Sequence, residues 1–280
     1  MSRHTSLKVG GPADLYAVPE DADDLQNLLQ GLKNLSVPWL TIGKGYNLLV
    51  RDNGIRGAII SLERFNRIAD LGERRVLAEA GAENLAVVRF AQELGLGGIG
   101  FISGIPGTVG GAIKMNAGAY GSGILERTES LTLLRDGRVA EYRMAELDYG
   151  YRHLALPSED IVLAAIFNLD QREPQQTEEE IRKDLELRRS KHNVGFPSAG
   201  SFFKNPPGQA AWRLIDAAGM RGVRLGGAQV SEVHSNFLVN TGGATTHDFL
   251  ELSILVKDAV FKTSGVTLEE EVRIVGEENS

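Results

Sequence analysis

Three polar residues stand where their side chains could do chemistry. Arg152 lies in YGYRHL, between aromatic and apolar neighbours. Such an arginine either rests at the surface with its stem buried or clamps a carboxylate through two parallel hydrogen bonds. Ser201 lies in AGSFFKNP, which is not the G-x-S-x-G elbow of a hydrolase; its plain reading is a strand-end serine ahead of an Asn-Pro turn. Glu271 opens EVRIVG, where alternation puts Val272 and Ile274 on one face of a strand and Glu271 and Arg273 on the other. On spacing alone each of the three reads first as structural. The five histidines, His4, His153, His192, His234 and His247, show no H-E-x-x-H or other metal-ligand spacing. The chain has no cysteine, which excludes disulfides, thiolate zinc sites and cysteine nucleophiles.

The second kind of chemistry is carried by backbone. From Gly100 to Gly121, GFISGIPGTVGGAIKMNAGAYG, seven of 22 residues are glycine and Lys114 is the only charged side chain. Ordering so many glycines costs conformational entropy, so the segment needs a reason for close approach. GLGGIG (Gly95 to Gly100) matches G-x-G-x-x-G by letter. However, a helix pattern precedes it and FISGIPG follows, so the strand–glycine–helix context of a dinucleotide fingerprint is missing. No G-x-x-x-x-G-K-[ST] occurs. Two clusters remain, Gly43–Gly45 and Gly104–Gly111, read as non-helical loops beside strands. There, consecutive backbone N–H groups can cradle an anion without help from lysine. Tight turns and packing contacts are the alternative; two such clusters together favour a large dinucleotide.

The elements that must position these groups follow from periodicity. Helices are expected over Pro19–Leu32, with acids in the first turn and a stripe of Leu25, Leu28, Leu29 and Leu32, and over Asn84–Leu94 and Phe249–Val260. A further helix carries Trp212, Leu214 and Ile215. Another is expected after the linker-like QREPQQ, started by a Thr177–Glu180 capping box and ended by Arg188, Arg189 and Lys191. Strands are expected at Val37–Ile42, Gly57–Leu62, Val76–Ala80, Ile161–Leu169, Phe237–Val239 and Val272–Val275. Leu131–Leu134 and Arg138–Tyr142 flank an Asp-Gly hairpin turn. A length of 280 residues suggests two or three subdomains, and 42% hydrophobic with 24% charged residues is the composition of a soluble enzyme or binding protein. A net charge of −7 supplies no global basic field for nucleic acid. MSRHTSLKVGGP lacks a signal-peptide core and no window reaches membrane-spanning length, so no membrane and a cytoplasmic address are expected.

The motifs, taken in order, carry a resemblance. HTSLKVGGPA, GKGYNLLV, GIPGTVGGAIKMNAGAYG, YGYRH, GSFFKNP and LEEEVRIVG together resemble the UDP-N-acetylenolpyruvoylglucosamine reductases, FAD enzymes of bacterial peptidoglycan synthesis. The resemblance spans His4 to Gly276. It implies an α+β chain with the vanillyl-alcohol-oxidase/PCMH-type fold: two FAD-binding subdomains, 1–64 and 65–190, a substrate-binding domain at 191–265, and a C-terminal strand within 266–280 that returns to the first subdomain. It implies noncovalent FAD, cradled by Gly43, Lys44, Gly45, Tyr46, Asn47 and Leu48 on one side and by Gly104, Ile105, Pro106, Gly107, Gly110, Gly111 and Asn116 on the other.

The activity implied is reduction of the enolpyruvyl ether of UDP-N-acetylglucosamine enolpyruvate to UDP-N-acetylmuramate, with NADPH as electron donor. Hydride reaches the terminal vinyl carbon and charge spreads into the pyruvyl carboxylate, which must be stabilised where it develops. By resemblance Arg152 and Glu271 do that work and Ser201 donates the proton to the carbon bearing the ether oxygen. A glutamate there is required to be protonated or hydrogen-bonded. Lys204, Asn205, Arg221, Gln229 and His234 fall where the family meets the nucleotide and sugar, and Lys204 is placed to assist Ser201. From His153 to Gly200 there is no tyrosine, so the chain resembles the shorter branch without a tyrosine-bearing lid. The rival readings are another FAD oxidoreductase of this fold with a different substrate and a non-catalytic nucleotide-binding protein. Oligomeric state is left open by the residues, with the monomer as the favoured reading.

Overall fold

The computed structural model describes residues 1–119, 121–192 and 194–278, without the side chains of residues 188, 189, 191 and 192. The expected basic last turn at Arg188, Arg189 and Lys191 and the tyrosine of the glycine-rich segment, Tyr120, therefore lie outside the described residues. The chain forms two compact units: residues 1–14, 44–57 and 187–280, and residues 15–43 and 58–186.

The larger sheet of the second unit has five antiparallel strands in the order Arg138–Arg143, Thr128–Arg135, Ile161–Asn168, Arg75–Glu79 and Ile68–Gly72. The Asp-Gly hairpin is as expected: Asp136 and Gly137 both take positive φ (50° and 72°), as a two-residue primed turn demands. Trp39–Ile42 runs parallel to Ile55–Ser61 in a three-stranded sheet. Helix α1 (Ala22–Asn34) buries Leu25 and Leu32 with Ala58, Ile60 and Leu62. It is capped by Asp21, whose side chain accepts from the Asp24 amide, so it begins inside the expected span and runs two residues past it. Helix α2 (Asn84–Glu93) and helix α3 (Val109–Lys114) pack into the core of Val76, Ala78, Ile113, Leu131 and Phe167.

Two expectations are overturned here. The Gly104–Gly111 cluster is not loop throughout: α3 begins at Val109, with Thr108 at the N-cap position and no side-chain capping bond, so Gly110 and Gly111 are helical. Helix α4 (Pro174–His192) begins at proline, whose fixed φ and missing N–H suit a first helical position. Thr177 is therefore a buried interior residue, 1% exposed, and caps nothing.

In the first unit a four-stranded antiparallel sheet runs Ser198–Ser201, Phe237–Asn240, Ala228–Val230, Arg224–Leu225. Helices α5 (Ala211–Ala217) and α6 (Thr246–Ser264) cover it, contributing Ala211, Ile215, Phe249, Leu252, Val256 and Val260 to a core with Phe202, Phe203 and Leu238. Asp52 accepts the Thr246 and His247 amides at the start of α6, and Thr245 and Asp248 complete a capping box. Arg273–Val275 pairs in parallel with Leu48–Val50, 225 positions earlier.

Candidate active site

In the second unit the two glycine clusters meet. A β-carbon on Gly43 would lie 2.5 Å from Thr108 Oγ1, and Gly43 and Gly111 are both exposed beside it. Gly110 serves packing: its amide donates to Ala80 O (2.8 Å), and an added β-carbon would press on Ala80 Cβ at 2.8 Å. Val109 likewise donates to Ala82 O, so these two amides are engaged within the protein. Asn84, at the start of α2, holds the intervening turn through Nδ2 to Ile105 O (3.0 Å) and its amide to Gly107 O (3.2 Å). Pro106 is exposed at the tip, and Ile105 packs on the core.

The end of the glycine-rich segment holds Arg152. A short hairpin, Tyr149–Gly150 with His153–Leu154, puts Arg152 at its turn with φ 54°. Its Nη1 donates to Asn116 O (3.3 Å) and its Nη2 to Gly118 O (3.1 Å), while the guanidinium lies 5.3 Å from the Tyr151 ring centre. Asn116 is itself left-handed (φ 40°), a conformation asparagine tolerates. Its Nδ2 donates to Gly150 O (2.8 Å) and its Oδ1 accepts from the Leu125 amide (3.3 Å). Asn116, expected as a cofactor contact, thus ties both ends of its side chain to the hairpin and the following turn. Two non-glycine left-handed residues in one hydrogen-bonded cluster are strain of the kind found at working sites.

The remaining candidates belong to the first unit. Gly45 takes φ 65° and is buried under the N-terminal motif: Ser6 N donates to Gly45 O, and a β-carbon would fall 2.0 Å from His4 O. Tyr46 is exposed; Lys44 is also exposed. Asn47 faces the C-terminal segment, its Nδ2 donating to Glu271 O (3.0 Å) and its carbonyl accepting from Arg273 N (3.1 Å). Ser201 ends its strand, as the plain reading expects, after a bulge at Gly200 (φ 77°); a bulge of this kind re-aims the side chain that follows.

Phe202 to Lys204 then run antiparallel to Glu269–Glu271. Lys204 N donates to Glu269 O (2.9 Å), Phe203 bridges Glu270, and Glu271 N donates to Phe202 O (2.8 Å). Ser201 and Glu271 are therefore fastened to the same buried dipeptide. The sequence patterns did not flag it, because the bridged residues, Phe203 and Glu270, are 67 positions apart.

The expected nucleotide and sugar contacts scatter over this unit. Lys204 Nζ pairs with Glu269 at 3.2 Å, Asn205 Oδ1 accepts the Ala211 amide, and Gln229 Nε2 donates to Gly222 O. Arg221 binds Asp216 Oδ2 and Glu232 O, both at 2.5 Å, and His234 packs edge-on against Phe237.

Beside Glu271, the Glu270 carboxylate accepts from Lys257 (2.7 Å) and Ser253 (2.9 Å). Burial alone would raise its pKa. The hydrogen bonds from Lys257, the backbone and Ser253, with the Lys257 charge, outweigh burial and hold it below the ordinary value of 4.5. A carboxylate depressed in the folded state stabilises the fold above its unfolded pKa, and that contribution is lost as pH falls through the folded value. Lys257→Met is expected to flatten the acid limb of a thermal-stability profile taken from neutral pH to well below 4.5. An unchanged limb would show the pair contributes nothing.

Gly43 and Gly111 lie exposed side by side, where an added β-carbon would stand between the backbone and a ligand, with almost no competing side-chain charge, which fits a dinucleotide with a pyrophosphate. Residues 13–141 match the model of an FAD binding domain. Fold and loops together define an α+β FAD-binding flavoprotein. Residues 191–275 match the model of the UDP-N-acetylenolpyruvoylglucosamine reductase C-terminal domain. The chain is 78% identical over 278 residues to the UDP-N-acetylenolpyruvoylglucosamine reductase of Pelobacter propionicus, covering 99% of this chain and 94% of that one. It is 55% identical over 276 residues to the reductase of Geotalea uraniireducens, covering 99% and 92%. The crystal structure of the Thermus caldophilus reductase aligns at 34% identity with a TM-score of 0.84, over 98% of this chain and 96% of that one. This chain belongs to the UDP-N-acetylenolpyruvoylglucosamine reductase family.

Proposed function

We propose that the protein reduces UDP-N-acetylglucosamine enolpyruvate to UDP-N-acetylmuramate with NADPH as electron donor, as a cytoplasmic monomer. Residues 1–190 hold the cofactor, 191–265 take the substrate, and the C-terminal strand is part of the cofactor-binding portion. Beyond family membership, the observation that supports this most is the mounting of Ser201 and Glu271 on one dipeptide. The reaction needs a proton donor and a carboxyl group held in constant relation.

When bound, FAD supplies hydride transfer from NADPH to the terminal vinyl carbon. Arg152 pairs with the pyruvyl carboxylate as enolate charge develops, which is where a permanently charged fork contributes most. Ser201 Oγ–H gives its proton to the carbon bearing the ether oxygen, completing addition of one hydride and one proton across the double bond. Lys204, paired with Glu269, lowers the cost of the serine alkoxide that results. Glu271 contributes as a protonated or hydrogen-bonded carboxyl beside the same charge.

One anaerobic experiment tests the reading: bleach the flavin with NADPH, then add UDP-N-acetylglucosamine enolpyruvate. Recovery of the oxidised spectrum without oxygen is expected; bleaching without recovery means a different substrate. Ser201→Ala is expected to keep its flavin and the bleaching step while recovery slows by about 10²–10⁴-fold, the range of a lost general acid. Full turnover in that variant would remove Ser201 from the role.

A further inference from the structure

The Phe202–Phe203 dipeptide is held on its far side by one side chain, Asn236. Phe203 and Glu270 form the bridge that pairs the two segments, and the bonds beside it come from Lys204 N and Glu271 N. In an antiparallel ladder this leaves the N–H and C=O of Phe203 itself pointing away from the Glu269–Glu271 segment. Asn236 meets both: Phe203 N donates to Oδ1 (3.0 Å) and Nδ2 donates to Phe203 O (2.8 Å). Its backbone carbonyl also accepts Phe202 N at 2.7 Å. The Asn236 side-chain amide acts as a one-residue strand edge just beyond the last ladder pair of the sheet, Ser201 with Phe237.

Every contact is dry. Asn236 is 3% exposed and both phenylalanines are fully buried, their rings edge to face at 5.2 Å. Asn236 N donates to His234 Nδ1 (3.3 Å), which fixes the residue's own backbone. Ser201 immediately precedes the clamped dipeptide, and Glu271 hangs from Phe202 O.

We propose that Asn236 is a positioning residue for the reduction step, setting Ser201 and Glu271 together through the Phe202–Phe203 backbone. This rests on the roles proposed for that pair. No other side chain hydrogen-bonds both backbone groups of Phe203 among the described residues. A displacement of about 1 Å at a reacting group costs on the order of 100-fold in rate, and the Asn236 clamp is the shortest path to such a displacement.

The test uses the FAD-loaded enzyme and Asn236→Asp, which keeps the acceptor for Phe203 N and removes the donor to Phe203 O. Asn236→Asp is expected to be bleached by NADPH at a rate within about twofold of the parent, and reoxidised by substrate about 100-fold more slowly. Introduced into Ser201→Ala, the same change should cost less than about threefold, because residues acting through one group are not additive. Equal slowing of both half-reactions, or the same fold loss with and without Ser201, would overturn the proposal. Amide hydrogen exchange on the unaltered enzyme needs no variant to fold: Phe203 and Glu271 should be strongly protected and open together, and rapid exchange at either would overturn it. If the parent enzyme is not reoxidised by this substrate, the proposed function fails; if the parent is reoxidised and Asn236→Asp matches it, only the positioning role fails.

Discussion

Arg152→Ala is expected to leave flavin bleaching by NADPH within about twofold while slowing reoxidation by substrate roughly 10²–10³-fold, the loss that follows removal of one preorganised charge stabiliser. The structure supplies the reason the effect should be clean. Arg152 already sits at φ 54°, and alanine in its place keeps the same backbone requirement, so the substitution adds no strain. What it removes is a guanidinium held on the Asn116 and Gly118 carbonyls at 3.3 and 3.1 Å. Arg152→Lys should recover only part of the rate, since an ammonium cannot form the bidentate pair. Stopped-flow absorbance at the flavin band separates the two half-reactions, and equal slowing of both would show that Arg152 supports the fold rather than the reduction.

The second large effect is expected from Gly45→Ala. At φ 65° a β-carbon would fall 2.0 Å from His4 O, a backbone atom that cannot swing aside. The left-handed conformation costs about 1–2 kcal/mol for a residue with a β-carbon, and forcing atoms into a packed site costs about 1–3 kcal/mol more. Purified Gly45→Ala is expected to lose roughly 5–10 °C in the melting temperature of the flavin-free protein and to carry less flavin after reconstitution with FAD. Both readouts matter. A stable protein that loses flavin would assign Gly45 to the cofactor alone, and a protein unchanged in both would show that the N-terminal motif moves to admit the methyl group.

Much of the chain was readable without coordinates because hydrophobic period is a local property. The leucine stripe of α1, the Asp136-Gly137 turn and the alternating strands appear within a few residues of their expected bounds. Thr177 misled because a Thr-x-x-Glu pattern is also compatible with a helix interior, and the Gly104–Gly111 cluster misled because two glycines can be helical when close packing demands them, as Gly110 does against Ala80. Asn116 is expected from the sequence as a cofactor contact, but its tie to the Arg152 hairpin was not legible, since both ends of its side chain find partners outside its own segment.

By itself the sequence determined the absence of thiol chemistry, the family motifs and the glycine-lined backbone suited to a pyrophosphate, all of which depend on residue type and near spacing. Only the tertiary structure decided that Asn47 meets Glu271, that Phe203 bridges Glu270, and that Asn236 completes the clamp. These are backbone and amide hydrogen bonds across 33 to 224 positions. A hydrogen bond leaves no period in the chain: it records only that a buried N–H or C=O found a partner, and which partner is chosen by how the core closes around it.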